Sequence, residues 1–336
     1  MVAPLTAAPV RALARPELDG AHRWLEAAPP LPRRVAVGLS GGADSMALLL
    51  ALATAGHEVM AWHVDHGWRA ESAAEAAWLG SLVRSWGLAF RLARLASAPG
   101  ANREAEAREA RLRLFARWAR EEGVDTVCLA HHRDDQAETV CLRLLQGAGV
   151  EGCAGMRPVR ELAGLRIVRP LLGVPKADLV AALARAGAPW LEDASNRDTR
   201  LLRNRIRHRL FPSMRAAGAH PEALFVRLGA RAARLAGELE ARAASIPVTC
   251  GREGVHAPWP AWREAAAPVR AWVLQRMARC LLGEGRRLGR RHIEQVEAWL
   301  AAGARGGVDL TRCRLERAEG KQGGRLQLRP AGARLP

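Results

Sequence analysis

Residues 38–50 read GLSGGADSMALLL and set one carboxylate, Asp44, among Ser40, Gly41, Gly42, Ala43 and Ser45. Glycines let a backbone come close to phosphate oxygens, hydroxyls can donate to them, and a helix start adds N–H groups and a favourable dipole. A bare carboxylate would repel phosphate, so Asp44 points to a bridging Mg²⁺ ion. A second polar cluster, HHRDDQAET at 131–139, places Asp135 and Glu138 at helix-cap spacing behind His131 and His132, which can exchange protons near neutral pH. Taken alone, it reads more simply as a helix capped by Asp135 with surface histidines. Paired with the first cluster, its carboxylates become candidates for metal or cation binding. The densest basic stretch is WLEDASNRDTRLLRNRIRH at 190–208, where Asp193, Ser195 and Asn196 can cap a helix carrying Arg197, Arg200, Arg203, Arg205, Arg207 and His208. Guanidinium forks suit phosphate, although a solvated helix face is the plainer account of a charge run.

These clusters need a scaffold that brings them together. RVAVGLS alternates as a strand, and Met46, Leu49, Leu50 and Ala53 repeat at helical spacing, which predicts strand, glycine turn and helix. Strands are expected at 34–39, 58–64, 88–92, 125–130 and 165–169, with helices at 44–55, 71–86, 103–120 and 135–146. That alternation predicts a doubly wound α/β domain with a mostly parallel sheet over 33–212. Ligands in such sheets bind beyond the strands' carboxyl ends, where SGGADS, DHGWR (65–69) and HHRDDQAET all fall. Residues 1–32 read as an extension. Residues 213–336 read as a smaller, mainly helical domain, with stripes at Leu228, Ala232, Leu235 and Leu239, at Val273, Met277 and Cys280, and at Ile293, Val296 and Leu300. The tail from Gly306 suggests a β-hairpin broken by GKQGG. GAGVEG (147–152) matches a dinucleotide-binding pattern in letters, but it follows a helical run instead of a strand, so NAD binding is rejected.

Composition narrows the partners. The 336 residues include 51 basic against 34 acidic side chains, a net +17, and only Lys176 and Lys321 are lysine. This excess favours a polyanionic partner. The six cysteines (128, 141, 153, 250, 280, 313) contain no C-x-x-C pair and suit buried thiols in a reducing cytoplasm. No apolar run approaches membrane-spanning length, and no secretory signal is expected.

In order, SGGADS, HVDHGWRAES, N-x-E-A-x-A-R-x-x-R (Asn102 to Arg111), AHHRDDQAET, RPLL (169–172), EDASNRD and RNRIRH resemble the tRNA(Ile)-lysidine synthetases, an ATP pyrophosphatase family with the SGG-x-DS loop. The resemblance implies a ligase that uses ATP to adenylate C2 of the wobble cytidine of isoleucine tRNA (CAU anticodon). Free L-lysine then displaces AMP. It implies that Ser40 to Ser45 hold pyrophosphate and that Asp44 and Asp135 hold Mg²⁺. It further implies that Asp135 and Glu138 take the lysine ammonium, that Arg108 and Arg111 bind substrate, and that Arg205 and Arg207 meet phosphate charge or tRNA. His131 or His132 would accept a proton. The family commonly has a tyrosine where this chain has Leu112, and longer members add a C-terminal domain, so a shorter form is expected. Arg227, Arg231 and Arg234 share a helix face that could contact tRNA; oligomeric state is open, a dimer being one option. A tRNA sulfur transferase of the same group is disfavoured by the cysteine spacing. A noncatalytic RNA-binding protein is disfavoured by the intact Asp44, Asp135 and Glu138.

Overall fold

The computed structural model describes residues 15–18, 20–68, 71–95, 103–162, 164–192, 201–251, 253–283, 286–319 and 324–331. Asn102, Asp193, Ser195, Asn196, Arg197 and Arg200, together with most of GKQGG, lie outside the described residues. By contact density the chain divides into two compact units, 1–230 and 231–336.

In the first unit, α1 (His22–Glu26) precedes β1 (Arg34–Gly38), α2 (Ala43–Thr54), β2 (Glu58–Asp65), α3 (Ser72–Ser85), β3 (Ala89–Arg94), α4 (Arg103–Glu122) and β4 (Thr126–Cys128). Then follow α5 (Arg133–Leu145), α6 (Val150–Cys153), β5 (Val159–Leu162), β6 (Leu165–Val168), α7 (Lys176–Arg185), α8 (Leu202–Arg205), a π turn (Ile206–Leu210), α9 (Phe211–Ala216) and the start of α10 (Pro221–Ala244). The strand order is β3-β2-β1-β4-β6-β5, all parallel except β5. Both faces are covered. Val35, Val37, α2, α3 and α7 form one core. Ala36, Trp62, Phe115, Trp118 and Ile167 form the other. GAGVEG is the loop that follows α5 and the start of α6, so it does not join a strand to a helix.

Three expectations need correction. The antiparallel edge strand β5 was not foreseen, because its VREL is charged at the centre and lacks an apolar alternation. Helix α2 is more than a stripe: Ser45 to Ala53 are all buried, since α1 and α7 cover the side that faces away from the sheet. For the same reason residues 18–32 are more than an extension, with Leu18 and Ala21 in the core.

The expected boundary at 212 also shifts. Phe211 stacks on Phe225 at 5.5 Å, and both join a small core with Ala137, Cys141 and Ile206, so 213–230 pack with the first unit. In the second unit, α11 (Trp259–Glu264), α12 (Ala267–Leu282) and α13 (Arg290–Ala301) accompany an antiparallel sheet. Its strands are β7 (Thr249–Gly251), β8 (Gly254–Pro258), β9 (Gly307–Asp309), β10 (Cys313–Ala318) and β11 (Arg325–Pro330), in the order β7-β8-β11-β10-β9. The hairpin β10–β11 matches the expectation, but it sits inside a five-stranded sheet that the helical stripes had hidden. Of the stripes, Val273, Met277 and Val296 are buried, whereas Leu228 and Leu235 are exposed. Cys250 and Cys280 are exposed too, unlike the other four thiols. Among the described residues, no helix is long and apolar enough to cross a membrane.

Leu49→Ala should cost about 2–5 kcal/mol, because the surroundings of α2 cannot collapse onto the cavity. Leu235→Ala, on the exposed side of α10, should stay within about 0.5 kcal/mol. Urea unfolding of the two variants checks this; equal losses would contradict the assignment of α2 as the centre of the core.

Candidate active site

The strand order turns between β1 and β4: from β1 the chain builds outward through β2 and β3, and from β4 it builds the other way. A crevice opens at such a point, beyond the carboxyl ends of the two strands. With Ala36 opposite Val127 and Val37 opposite Cys128, the loops after β1 and β4 leave the sheet side by side. Each feeds a helix, α2 or α5, so two helix N-termini and their dipoles face the crevice.

The first loop is held from within. Ser45 Oγ accepts from the backbone N–H of Ser40 at 3.2 Å and of Gly41 at 3.1 Å, lies 3.1 Å from Ser40 Oγ and donates to the Gly42 carbonyl at 3.0 Å. Ser45 is thus an internal brace, while Ser40 is the exposed hydroxyl. Gly41 has φ +86°, and a Cβ there would come within 2.8 Å of Leu191 Cδ1, so both conformation and space require glycine. Leu191 N–H donates to the Gly41 carbonyl at 2.8 Å and pins the loop from the far side.

The second loop makes a capping box with a histidine in the cap position. His132 Nδ1 accepts from the Asp135 N–H at 3.3 Å, and Asp135 Oδ2 accepts from the His132 N–H at 3.2 Å. Accepting at Nδ1 leaves the ring proton on Nε2, which lies 3.3 Å from Asp135 Oδ2 and 3.5 Å from Asp44 Oδ2. These are charge contacts more than well-directed hydrogen bonds. Asp44 and Asp135, 91 positions apart in sequence, therefore meet on one imidazole that is 1 % exposed. Burial alone would lower the His132 pKa, but Asp44, Asp135 and Asp134 outweigh it and hold it above the ordinary value. Burial would raise the Asp44 carboxyl; His132 and Lys176 outweigh that and hold it low.

Lys176 was not singled out from the sequence as a site residue. Its Nζ is 3.5 Å from Asp44 Oδ2, and its backbone N–H donates to Asp134 Oδ2 at 3.0 Å, so the start of α5 caps α7 and brings the lysine in. A lysine in a chain that otherwise uses arginine was the available signal. Arg203 was missed as well. It donates to Asp135 Oδ1 and Glu138 Oε2, each at 2.8 Å, while Arg207 reaches Glu138 Oε1 at 2.6 Å and Oε2 at 2.9 Å. Spacing of i, i+3 on α5 faces spacing of i, i+4 across α8 and the π turn, and both guanidiniums close on the same two carboxylates. Glu138 is 2 % exposed, and guanidinium donors take both of its carboxylate oxygens.

Two expected site residues do not join them. Arg205 projects from another side of its helix and lines a cavity of about 360 Å³ with Leu145, Leu202, Ile206, Arg209, Leu210 and Ser213. His131 lies beside α5, but burial, aided by Arg169, Arg108 and Arg203, pushes its pKa down to about 3, which makes it a weak base. Arg108 lies close enough to act on His131, whereas Arg111 acts on His66; burial and neighbouring guanidiniums lower both. Leu112, at the family's tyrosine position, packs into the Trp62–Phe115 core.

Among the described residues no group of three or more His, Cys, Asp or Glu side chains is arranged to hold a metal by itself. Asp44 Oδ1 is nonetheless buried and without a partner, and phosphate-bound Mg²⁺ needs only one or two carboxylates from the protein. The residues present fit such an ion.

A PP-loop domain matches residues 21–214, well over half of the chain. A tRNA(Ile)-lysidine synthase of Bordetella pertussis is 39 % identical over 269 residues, covering 74 % of this chain and 83 % of that protein. The chain belongs to the tRNA(Ile)-lysidine synthase family. Lysidine synthases of Solibacter usitatus and Bradyrhizobium sp. are 47 % and 44 % identical over 185 and 195 residues, 54 % and 56 % of this chain. Those segments are 41 % and 54 % of the relatives' lengths, so the chain spans about half of these longer family members. Among solved structures, the U34-tRNA thiolase NcsA of Methanococcus maripaludis superposes with a TM-score of 0.52 at 16 % identity, covering 63 % of this chain and 76 % of that one, a likeness of fold.

The buried neutral His131 has a consequence for stability. It takes up a proton near pH 6.5 when unfolded but only near pH 3 when folded, so the unfolded chain binds more protons between these values and stability falls as pH drops. His131→Gln should recover up to about 2 kcal/mol at pH 5 relative to pH 8. Thermal unfolding of both proteins at the two pH values checks it; parallel losses would place His131 in water.

Proposed function

We propose that the chain joins free L-lysine to C2 of the wobble cytidine of an isoleucine tRNA with CAU anticodon, using ATP and releasing AMP and pyrophosphate. The observation that supports it most is the convergence of Asp44 and Asp135 on His132, directly beyond the β1 glycine loop. The loop from Ser40 to Ser45 offers backbone N–H groups, the Ser40 hydroxyl and the α2 dipole to the triphosphate. Lys176 adds a mobile positive charge beside Asp44. Asp44, with Asp135, would hold Mg²⁺, which disperses the charge that develops on the departing pyrophosphate.

Asp135 and Glu138 suit an ammonium, and two cations already sit on them. Arg203, the more exposed of the two, gives way to the lysine substrate while Arg207 stays on Glu138. His132 positions both aspartates and keeps them apart from each other's charge. His131 is too weak a base to take the amine's proton. We assign residues up to 230 the catalysis and residues 231–336 a share in holding the tRNA, where the net positive charge lowers the cost of approaching a polyanion.

Incubation with ATP, lysine and unmodified isoleucine tRNA should release AMP, and pyrophosphate in sustained turnover, only when all three are present, because lysine is what displaces AMP. Asp44→Asn should lower that turnover by at least about 100-fold with the fold retained by circular dichroism. Lysine-independent release of AMP in sustained turnover, or near-normal turnover in the variant, would remove the reading.

A further inference from the structure

Close to His131 lies a group of guanidiniums that no carboxylate among the described residues neutralises. Arg108 and Arg111 come from α4, Arg160 from β5, and Arg169 from the residue that follows β6. The charges acting on Arg108, Arg111 and Arg169 are other guanidiniums: Arg160 and Arg203 on the first, Arg108 on the second, Arg108 and Arg160 on the third. Arg203 itself is committed to Asp135 and Glu138.

Arg169 is the anomaly. It is 5 % exposed, its Nη1 donates to the Arg157 carbonyl at 2.7 Å, and its Nε is buried with no partner. Its backbone N–H is fixed to the Pro158 carbonyl at 2.8 Å, so the side chain is aimed from a rigid strand end. Burial, with Arg108 and Arg160, pushes its pKa down to about 10, far below where a guanidinium normally sits. The Nε of Arg111 and the Nδ1 of His131 are likewise buried and unpartnered. Unpaired charge in a dry setting is expensive, and the buried Nε of Arg169, left without an acceptor among neighbouring guanidiniums, marks a place where an anion completes the structure. Arg108 and Arg160 are exposed, so the cluster has a closed floor and an open, cationic mouth.

Phosphate is the anion that several guanidinium forks suit best. Two sources carry it here: the nucleotide and the RNA. The glycine loop follows β1, whereas Arg169 ends β6, two strands away in the order β1-β4-β6, roughly 10 Å across the sheet. The triphosphate already has its loop and helix start. An open mouth on the far side of Asp135 suits a strand arriving from solvent.

We propose that Arg169, Arg160 and Arg108 form a subsite for one backbone phosphate of the RNA next to the nucleotide being modified. This rests on the proposed RNA substrate and adds where its backbone is gripped. Bases are read elsewhere; the subsite sets how far the target nucleotide enters the crevice, and His131, kept neutral, lines it without repelling or competing for the anion.

The test uses the full chain and an unmodified isoleucine tRNA transcript, with binding measured by filter retention across a potassium chloride series, together with KM values for ATP and lysine. Arg160→Gln, at an exposed position, should weaken tRNA binding several-fold and make the salt slope shallower by about 0.7, the value for one single-strand phosphate contact. Arg169→Met should lose about tenfold in binding and Arg169→Lys less, while KM for ATP stays within about twofold. Inorganic phosphate should raise the melting temperature of the parent protein more than that of Arg169→Met. If KM for ATP rises while tRNA binding holds, the phosphate belongs to the nucleotide and the RNA subsite is overturned. Unchanged salt slopes in Arg160→Gln, together with equal phosphate effects on melting, would dismiss the site altogether. If tRNA binding depends on Arg169 but no lysine is incorporated, the subsite stands and the lysidine reading fails.

Discussion

Two carboxylates from distant parts of the chain, Asp44 and Asp135, meet at a single buried imidazole, His132, with the Lys176 ammonium beside Asp44. His132 caps α5 through Nδ1 and meets Asp44 and Asp135 through Nε2. Because the ring is almost wholly buried, water screens the contact little, and the pull of the two aspartates exceeds the cost of desolvation. The rest of the site is built around that tie. Lys176 arrives through the capping of α7 by Asp134, and Asp44 Oδ1 is left open for a ligand.

A second layer of charge surrounds the first. Glu138 is buried, and Arg203 and Arg207 hold both its oxygens, with Arg203 reaching Asp135 as well. Breaking one member of such a set leaves its partner buried and unpaired, so the arrangement is rigid by default and sensitive to any cation that competes for it. Among the basic side chains the balance is reversed: Arg108 feels the charge of Arg160 and Arg203, Arg111 that of Arg108, and Arg169 that of Arg108 and Arg160. An acidic centre beside a basic cluster sets up a steep electrostatic field across the crevice.

The architecture explains why one crevice hosts all of this. Only where the strand order turns do two loops leave the sheet as neighbours without a helix packed between them. The all-round burial of α2 fixes the position of Asp44 at its first turn, and the internal bonds of Ser45 fix the loop before it. Function is thereby mounted on the least deformable part of the first unit. The second unit has its own core of Trp262, Val273, Met277, Leu315 and Leu326 beneath a five-stranded sheet.

Local pattern was enough for the five parallel strands and main helices of the first unit and for the glycine loop, because each follows from residue spacing within a dozen positions, whereas the cap of α5 falls three positions earlier than expected, on His132 with Asp135 as its capping-box partner. The ordered motifs were enough for the family. Tertiary structure decided what no local pattern encodes: that β1 and β4 are neighbours, that His132 and not His131 ties the aspartates, that Lys176 and Arg203 enter the site and Arg205 leaves it, and that β5 completes the sheet. Helical phase set Arg203 and Arg207 on one face and Arg205 on another, but which face meets α5 depends on packing across about seventy residues of chain, and pairwise charge contacts at that separation leave no mark on a single sequence.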